Sequence, residues 1–170
     1  TKPIGTGCIF AADMRAKAPY PAVKAAIDSM LVSNSNAAQA LALNDCSACT
    51  DLTGFGFVGH LAEMCRATNG AKLTIDLDAC PFLPGAVDLT NAGYFSSLHP
   101  DNVRARRAVM NHDLVRHDPR YLLLFDPQTA GGLIATVPSS KAAAALDQLK
   151  ALGYYSAAQV GTVDDDHASS

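Results

Sequence analysis

The sequence has no surplus of positive charge, no long apolar run and no glycine-rich dinucleotide signature, and each absence removes a class of function. Lys and Arg number 13 against 16 Asp and Glu, a formal net charge of −3 with a pI near 5.9. That balance argues against a nucleic-acid partner, whose footprint is a basic face that neutralises phosphates. Arg104, Arg106 and Arg107 form the one basic cluster and read as a solvated helical face. No apolar stretch approaches the ~20 residues of a membrane-crossing helix, and no signal peptide opens the chain. A soluble protein without a membrane partner is expected. No G-x-G-x-x-G follows the first apolar segment, and the elements lack the regular β-α-β-α beat of a doubly wound sheet.

Cysteine is present, but not as a zinc or disulfide framework. The five, at positions 8, 46, 49, 65 and 80, are odd in number and mostly embedded in apolar segments, as suits a reducing cytoplasm. Cys46 and Cys49 have C-x-x-C spacing without a second pair. On a strand, side chains at i and i+3 point to opposite faces, so neither a shared metal nor a disulfide is expected. His60 has no second ligand four residues on and reads as a capped or surface residue.

What the chain does contain is the material of a core: 170 residues, 49% of them apolar. Thr1 stands where an initiator Met would, and residues 2–5 run directly into an apolar segment, so a piece of a longer protein is expected. Residues 4–11 read as a strand. Helices are expected after Pro21, with Val23, Ala26, Ile27, Met30 and Leu31 in register, and after Ser33 or Asn34, with Ala37, Ala40 and Leu41 inward. A strand at 47–50, a helix at 55–68 stopping near Asn69-Gly70, and a half-buried strand at 71–77 follow. Asp76 and Asp78 are taken as the outward face of that strand. A short helix ends at Gly93, and 96–102 is a polar loop. Residues 121–125 and 133–137 read as strands, 142–152 as a helix and 157–163 as a closing strand. The acidic residues 164–170 read as a disordered tail. The fold class expected is α+β, a sandwich of mixed β-sheet and helices, with the domain at 1–163.

Two stretches carry candidate chemistry. In the first, Asp51 follows a strand end and precedes a turn through Gly54 and Gly56, flanked by the hydroxyls of Thr50 and Thr53. A carboxylate beside glycines and a helix start suits Mg²⁺, which prefers one or two carboxylates plus substrate phosphates. The same pattern also suits a plain helix cap. In the second, Asp126-Pro127-Gln128-Thr129-Ala130-Gly131-Gly132 joins two apolar runs. Such a segment can turn several N–H groups toward an anion, or form a long hairpin.

These stretches occur in a specific company. Thr1-Lys2-Pro3-Ile4-Gly5-Thr6-Gly7, then Cys49-Thr50-Asp51-Leu52-Thr53-Gly54-Phe55-Gly56 with Gly59-His60-Leu61, then Ser96-Ser97-Leu98-His99-Pro100, then Asp126 to Gly132 with Leu133, together resemble selenophosphate synthetase (selenide, water dikinase). The match runs in order from the first residue to about Val163. One departure is Ala130, where the family usually has Ser. The resemblance implies the C-terminal half, similar to the C-terminal domain shared with aminoimidazole ribonucleotide synthetase.

In that family ATP, selenide and water give selenophosphate, AMP and phosphate, with Mg²⁺. The catalytic Cys or selenocysteine and a Lys belong to the N-terminal half, so no catalytic residue is expected in this fragment. The family's metal-binding Asp falls on Asp51. Phosphate-facing roles for Thr50, Thr53, Gly54, Thr129, Gly131 and Gly132 follow from proximity and N–H geometry. The implied partners are the N-terminal domain of the same protein, ATP and selenide, with a homodimer at full length and a cytoplasmic location. Two other readings stay open: another ATP-dependent synthetase of this fold, and a non-catalytic binding module that retains it.

Overall fold

A computed structural model describes residues 1–68 and 71–164. The chain opens with three helices, α1 (Thr6–Asp13), α2 (Tyr20–Leu31) and α3 (Ser35–Leu43), before β1 (Ala48–Asp51). Then come α4 (Gly56–Ala67), β2 (Lys72–Ile75), α5 (Ala86–Asn91) and the single turns α6 (His99–Asn102) and α7 (His112–Val115). The last elements are β3 (Leu133–Thr136), α8 (Ala142–Ala151) and β4 (Gly161–Asp164). The class is α+β, as expected. The strands form two antiparallel pairs, β1 with β3 and β2 with β4; parallel pairing among the described residues is the isolated Ile4–Phe82 bridge.

Several expectations hold because their periodicity is strong. Pro21 lies in the first turn of α2, where its missing N–H costs nothing. α3 buries Ala37, Ala40 and Leu41, against Leu149 of α8 and Tyr154. The Tyr154 hydroxyl accepts the Ala37 N–H at 3.0 Å and donates to Ser33 O at 2.6 Å, so a residue from the far end of the chain caps this helix.

Other expectations are corrected. Residues 4–11 are not a strand: Ile4 makes one bridge, and α1 begins at Thr6. This helix buries Cys8, Ile9, Ala11 and Ala12 and lacks a polar stripe, so its sequence has no helical period to show. Tyr121–Phe125 is a 3-10 helix with Tyr121, Leu123, Leu124 and Phe125 buried. An apolar run of that length is compatible with either geometry. The long hairpin from 121–125 to 133–137 is therefore replaced by pairing of β3 with β1. In α2 the inward residues are Ala22 and Ala26, whereas Ile27 and Leu31 are exposed. Leu152 is also exposed, at the end of α8. The closing strand begins only at Gly161 and includes Asp164, whose carboxylate accepts from the Thr74 hydroxyl at 3.0 Å. The Asn69-Gly70 helix stop and the rest of the tail, 165–170, lie outside the described residues.

The central core gathers Ile4, Leu52, Phe57, Leu61, Tyr121 and Phe125 from four separate stretches. Leu52 and Phe57 flank the Thr53 to Gly56 turn, so packing on both sides sets where that turn emerges.

Candidate functional site

Asp51 ends β1 with its side chain exposed, and the chain turns inward at once as Leu52 is buried. The backbone then runs beside the second candidate stretch. The Leu52 N–H donates to Gly132 O at 2.8 Å, and the Gln128 N–H donates to Thr53 O at 3.0 Å. Two motifs far apart in sequence thus lie edge to edge, bringing Thr50, Asp51, Thr53 and Gly54 alongside Thr129, Gly131 and Gly132. Gly131 is required by this contact: a Cβ there would stand 2.2 Å from Leu52 O.

Residues not singled out from the sequence hold the arrangement. Lys2 Nζ donates to Ala130 O at 2.9 Å, and Asn34 Nδ2 donates to Gly131 O at 2.8 Å. In a trans peptide the N–H points opposite to the preceding C=O. With those two carbonyls turned toward Lys2 and Asn34, the Gly131 and Gly132 N–H groups are directed the other way. Among the described residues neither N–H has a hydrogen-bond partner. Ala130, the departure from the family motif, has a φ of 48°, a left-handed conformation found in anion-binding turns. Asn102 Nδ2 donates to Gly54 O at 2.7 Å and to Phe125 O at 3.1 Å, so the polar segment 96–102 anchors the turn after Asp51.

Beneath the loop, Gln128 Oε1 accepts the N–H groups of Gly5 and Thr6 at 2.9 and 3.1 Å. The Thr6 hydroxyl in turn accepts the Thr129 N–H at 3.0 Å. Asp126 Oδ2 accepts from the Gly7 N–H and from Gln128 Nε2, each at 2.9 Å. These bonds satisfy orphan donors at the start of α1. Asp126 is 1% exposed, and among the described residues its Oδ1 has no hydrogen-bond partner. Burial pushes its pKa up to about 7, against the lowering effect of the Gln128 and Gly7 hydrogen bonds. Burial lowers the pKa of Lys2.

His60 corrects the sequence reading. It is 4% exposed, and its Nε2 lies 3.1 Å from the Thr53 N and 3.2 Å from the Thr53 hydroxyl. His99 is buried as well, with Nε2 2.9 Å from Leu122 O, and burial lowers its pKa. Neither histidine announces such a role by spacing; the i, i+7 relation of Thr53 and His60 across a turn is a weak signal. Asp76 and Asp78 are not the outward face of a strand: β2 ends at Ile75, the Asp78 N–H donates to Asp76 Oδ1 at 2.9 Å in the turn that follows, and Asp78 forms an ion pair with Arg120 at 2.7 Å.

Cys46 and Cys49 do not diverge as strand alternation implies. Cys46 precedes β1, its thiol donating to Ala48 O at 3.1 Å, and Cys49 has its pKa raised by burial and then by the neighbouring Cys46 thiol. Both are free thiols.

As for a metal, no group of three or more His, Cys, Asp or Glu comes together among the described residues. The donor set here is the single exposed carboxylate of Asp51 beside unpartnered N–H groups. That set fits Mg²⁺ held jointly with phosphate oxygens, and not an all-protein cage.

The profile of "AIR synthase related protein, C-terminal domain" matches residues 5–170. The chain belongs to this family. Curated relatives include a selenide, water dikinase of Rhizobium meliloti (strain 1021), 38% identical over 164 residues, covering 95% of this chain and 46% of that protein. Another, from Pelobacter propionicus, is 34% identical over 166 residues, covering 98% of this chain and 47% of that protein. The chain therefore spans about half the length of the curated relatives it matches. Among solved structures, one titled as hydrogenase maturation protein HypE superposes with a TM-score of 0.60 at 20% identity, covering 95% of this chain and 42% of that one. This likeness shows a shared fold. No helix among the described residues is long and apolar enough to cross a membrane.

Proposed function

We propose that this AIR synthase-related domain is the C-terminal half of a selenide, water dikinase, supplying one wall of a site that converts ATP, selenide and water to selenophosphate, AMP and phosphate. The observation that carries this reading is the edge-to-edge placement of two motifs, with the Asp51 carboxylate at one strand end and unpartnered Gly131 and Gly132 N–H groups on the adjoining loop. The curated relatives named for that reaction support it.

Phosphoryl transfer asks a protein for positioning and charge stabilisation more than for covalent chemistry. Asp51 would hold Mg²⁺ against the phosphates, and the bound ion would supply charge neutralisation. The Gly131 and Gly132 N–H groups would donate to phosphate oxygens. The Thr53 and Thr129 hydroxyls and the Gly54 backbone would line the same wall, whereas alternation along β1 turns the Thr50 side chain to the face opposite Asp51. No residue of this chain is assigned as catalytic. The reacting nucleophile and further metal ligands belong to the N-terminal half, and this chain, through at least Asp164 of β4, acts as the C-terminal domain of a cytoplasmic, homodimeric protein.

The test is selenide-dependent AMP release, measured on the full-length protein and on this chain alone, with calorimetric titration of Mg-ATP. Activity at full length and none in the chain alone is the expected result. Release of AMP by the chain alone would move the catalytic groups into this half; a full-length protein without selenide-dependent turnover would remove the reading.

A further inference from the structure

A groove of about 700 Å³ separates the β1–β3 pair from the β2–β4 pair. Its walls are mostly apolar. They include Leu61 and Met64 of α4, Leu73 of β2, Leu133 of β3, Leu146 of α8 and Val160 ahead of β4. Protein interiors pack to the density of organic crystals, and isolated two-stranded sheets are marginal in water. A void of this size between two such sheets calls for an occupant.

Thr1 identifies the kind of occupant. In the β1–β3 ladder the Leu52 N–H bonds to Gly132 O, which makes Asp51–Leu133 a non-hydrogen-bonded pair. The N–H and C=O of Leu133 consequently point away from β1, to the free edge of β3. Thr1 occupies that edge: its nitrogen donates to Leu133 O at 2.8 Å and its hydroxyl accepts the Leu133 N–H at 2.7 Å. Lys2 lies against Gly132, where a Cβ would stand 2.4 Å from the Lys2 nitrogen. Residues 1 and 2 therefore descend past 133 and 132, antiparallel to β3. By the same alternation Ala135 presents its N–H and C=O to this edge, within the groove. The Thr1 ammonium is desolvated there, its pKa lowered to about 6. A neutral peptide N–H is the group suited to that place.

We propose that an extended apolar strand, the segment joined to the Thr1 nitrogen in the full-length protein, lies along the free edge of β3 and fills the groove between the two sheets. It runs antiparallel to β3, with the residue two places before Thr1 opposite Ala135 and the residue four places before opposite Val137. This rests on the reading that the chain is one half of a longer protein. It adds a point of attachment away from the Asp51 wall: the N-terminal half would be tied in by backbone pairing as well as by facing the site.

Amide hydrogen exchange on the full-length protein and on the 170-residue chain tests it without reference to catalysis, so loss of the enzymatic reading would not decide the outcome. The Ala135 amide is expected to exchange at least roughly tenfold more slowly at full length. Equal rates in the two proteins would overturn the proposal. Should the shorter chain not fold, a full-length variant with Pro two places before Thr1 keeps it testable, because Pro removes the N–H that pairs with Ala135. Exchange at Ala135 is expected to accelerate roughly tenfold or more in that variant; an unchanged rate there would equally overturn it. The same Pro four places earlier than Thr1 should act on Val137 before Ala135, and the reverse order would contradict the register.

Discussion

The backbone N–H of Thr53 donates to Nε2 of His60 at 3.1 Å, so this ring nitrogen is the acceptor and the neutral imidazole carries its proton on Nδ1. Nδ1 lies 4.0 Å from Glu63 Oε2 and has no hydrogen-bond partner among the described residues. The buried ring thus fastens the turn that follows Asp51 to the first turns of α4.

Replacing His60 by Leu is expected to cost about 1–3 kcal/mol, because the Thr53 N–H loses its acceptor in a desolvated place. Urea unfolding measures the loss, and ¹⁵N NMR of the wild-type imidazole should report the Nδ1-protonated tautomer. An Nε2-protonated ring would show that the bond to Thr53 is not formed in solution.

Asp51→Asn in the full-length protein should leave the fold intact and remove most activity. Asn preserves the side chain's shape while removing the charge that Mg²⁺ requires, and no cap is lost because the N-cap of α4 is Phe55, without a side-chain hydrogen bond. Selenide-dependent AMP release and a melting curve check the two expectations. Retained activity would remove Asp51 from the metal-holding role.

Asp126 should make the fold less stable as pH rises. Its folded pKa, raised by burial to about 7 from 3.8, means that between those values the native state keeps a proton the unfolded chain releases. Its contribution is therefore complete below pH 3.8 and is lost progressively as pH approaches 7, at up to about 1.4 kcal/mol per pH unit. Urea midpoints compared at pH 5 and pH 7 should fall in the wild type, and Asp126→Asn should flatten that fall. A slope identical in both proteins would assign the dependence to other groups.

Gly131→Ala is expected to destabilise by more than about 2 kcal/mol, since the new methyl meets the Leu52 carbonyl, a backbone atom that cannot swing aside. Thermal unfolding measures this. Gly93→Ala offers a control for local crowding: a Cβ there meets nothing within 4 Å, and its cost arises from a φ of 85° alone.

Local patterns along the chain sufficed for the α+β class, the amphipathic α3, α4 and α8, the strand carrying Asp51 and the family resemblance. Those features are local: periodicity, glycine stops and ordered motifs are written along one stretch at a time. Tertiary structure decided the rest. Residues 6–13 and 121–125 are buried on several sides and carry no period that tells helix from strand, so packing chose their geometry. β3 pairs with β1 instead of forming a hairpin because the Leu52–Gly132 and Thr53–Gln128 hydrogen bonds bring distant segments together. Lys2, Asn34, His60, Asn102 and Asp126 act through partners that mostly lie far along the chain, and His60 through a turn seven residues back. A side chain's role of that kind depends on which carbonyl or N–H folding sets beside it, and no spacing rule along the chain encodes that neighbour.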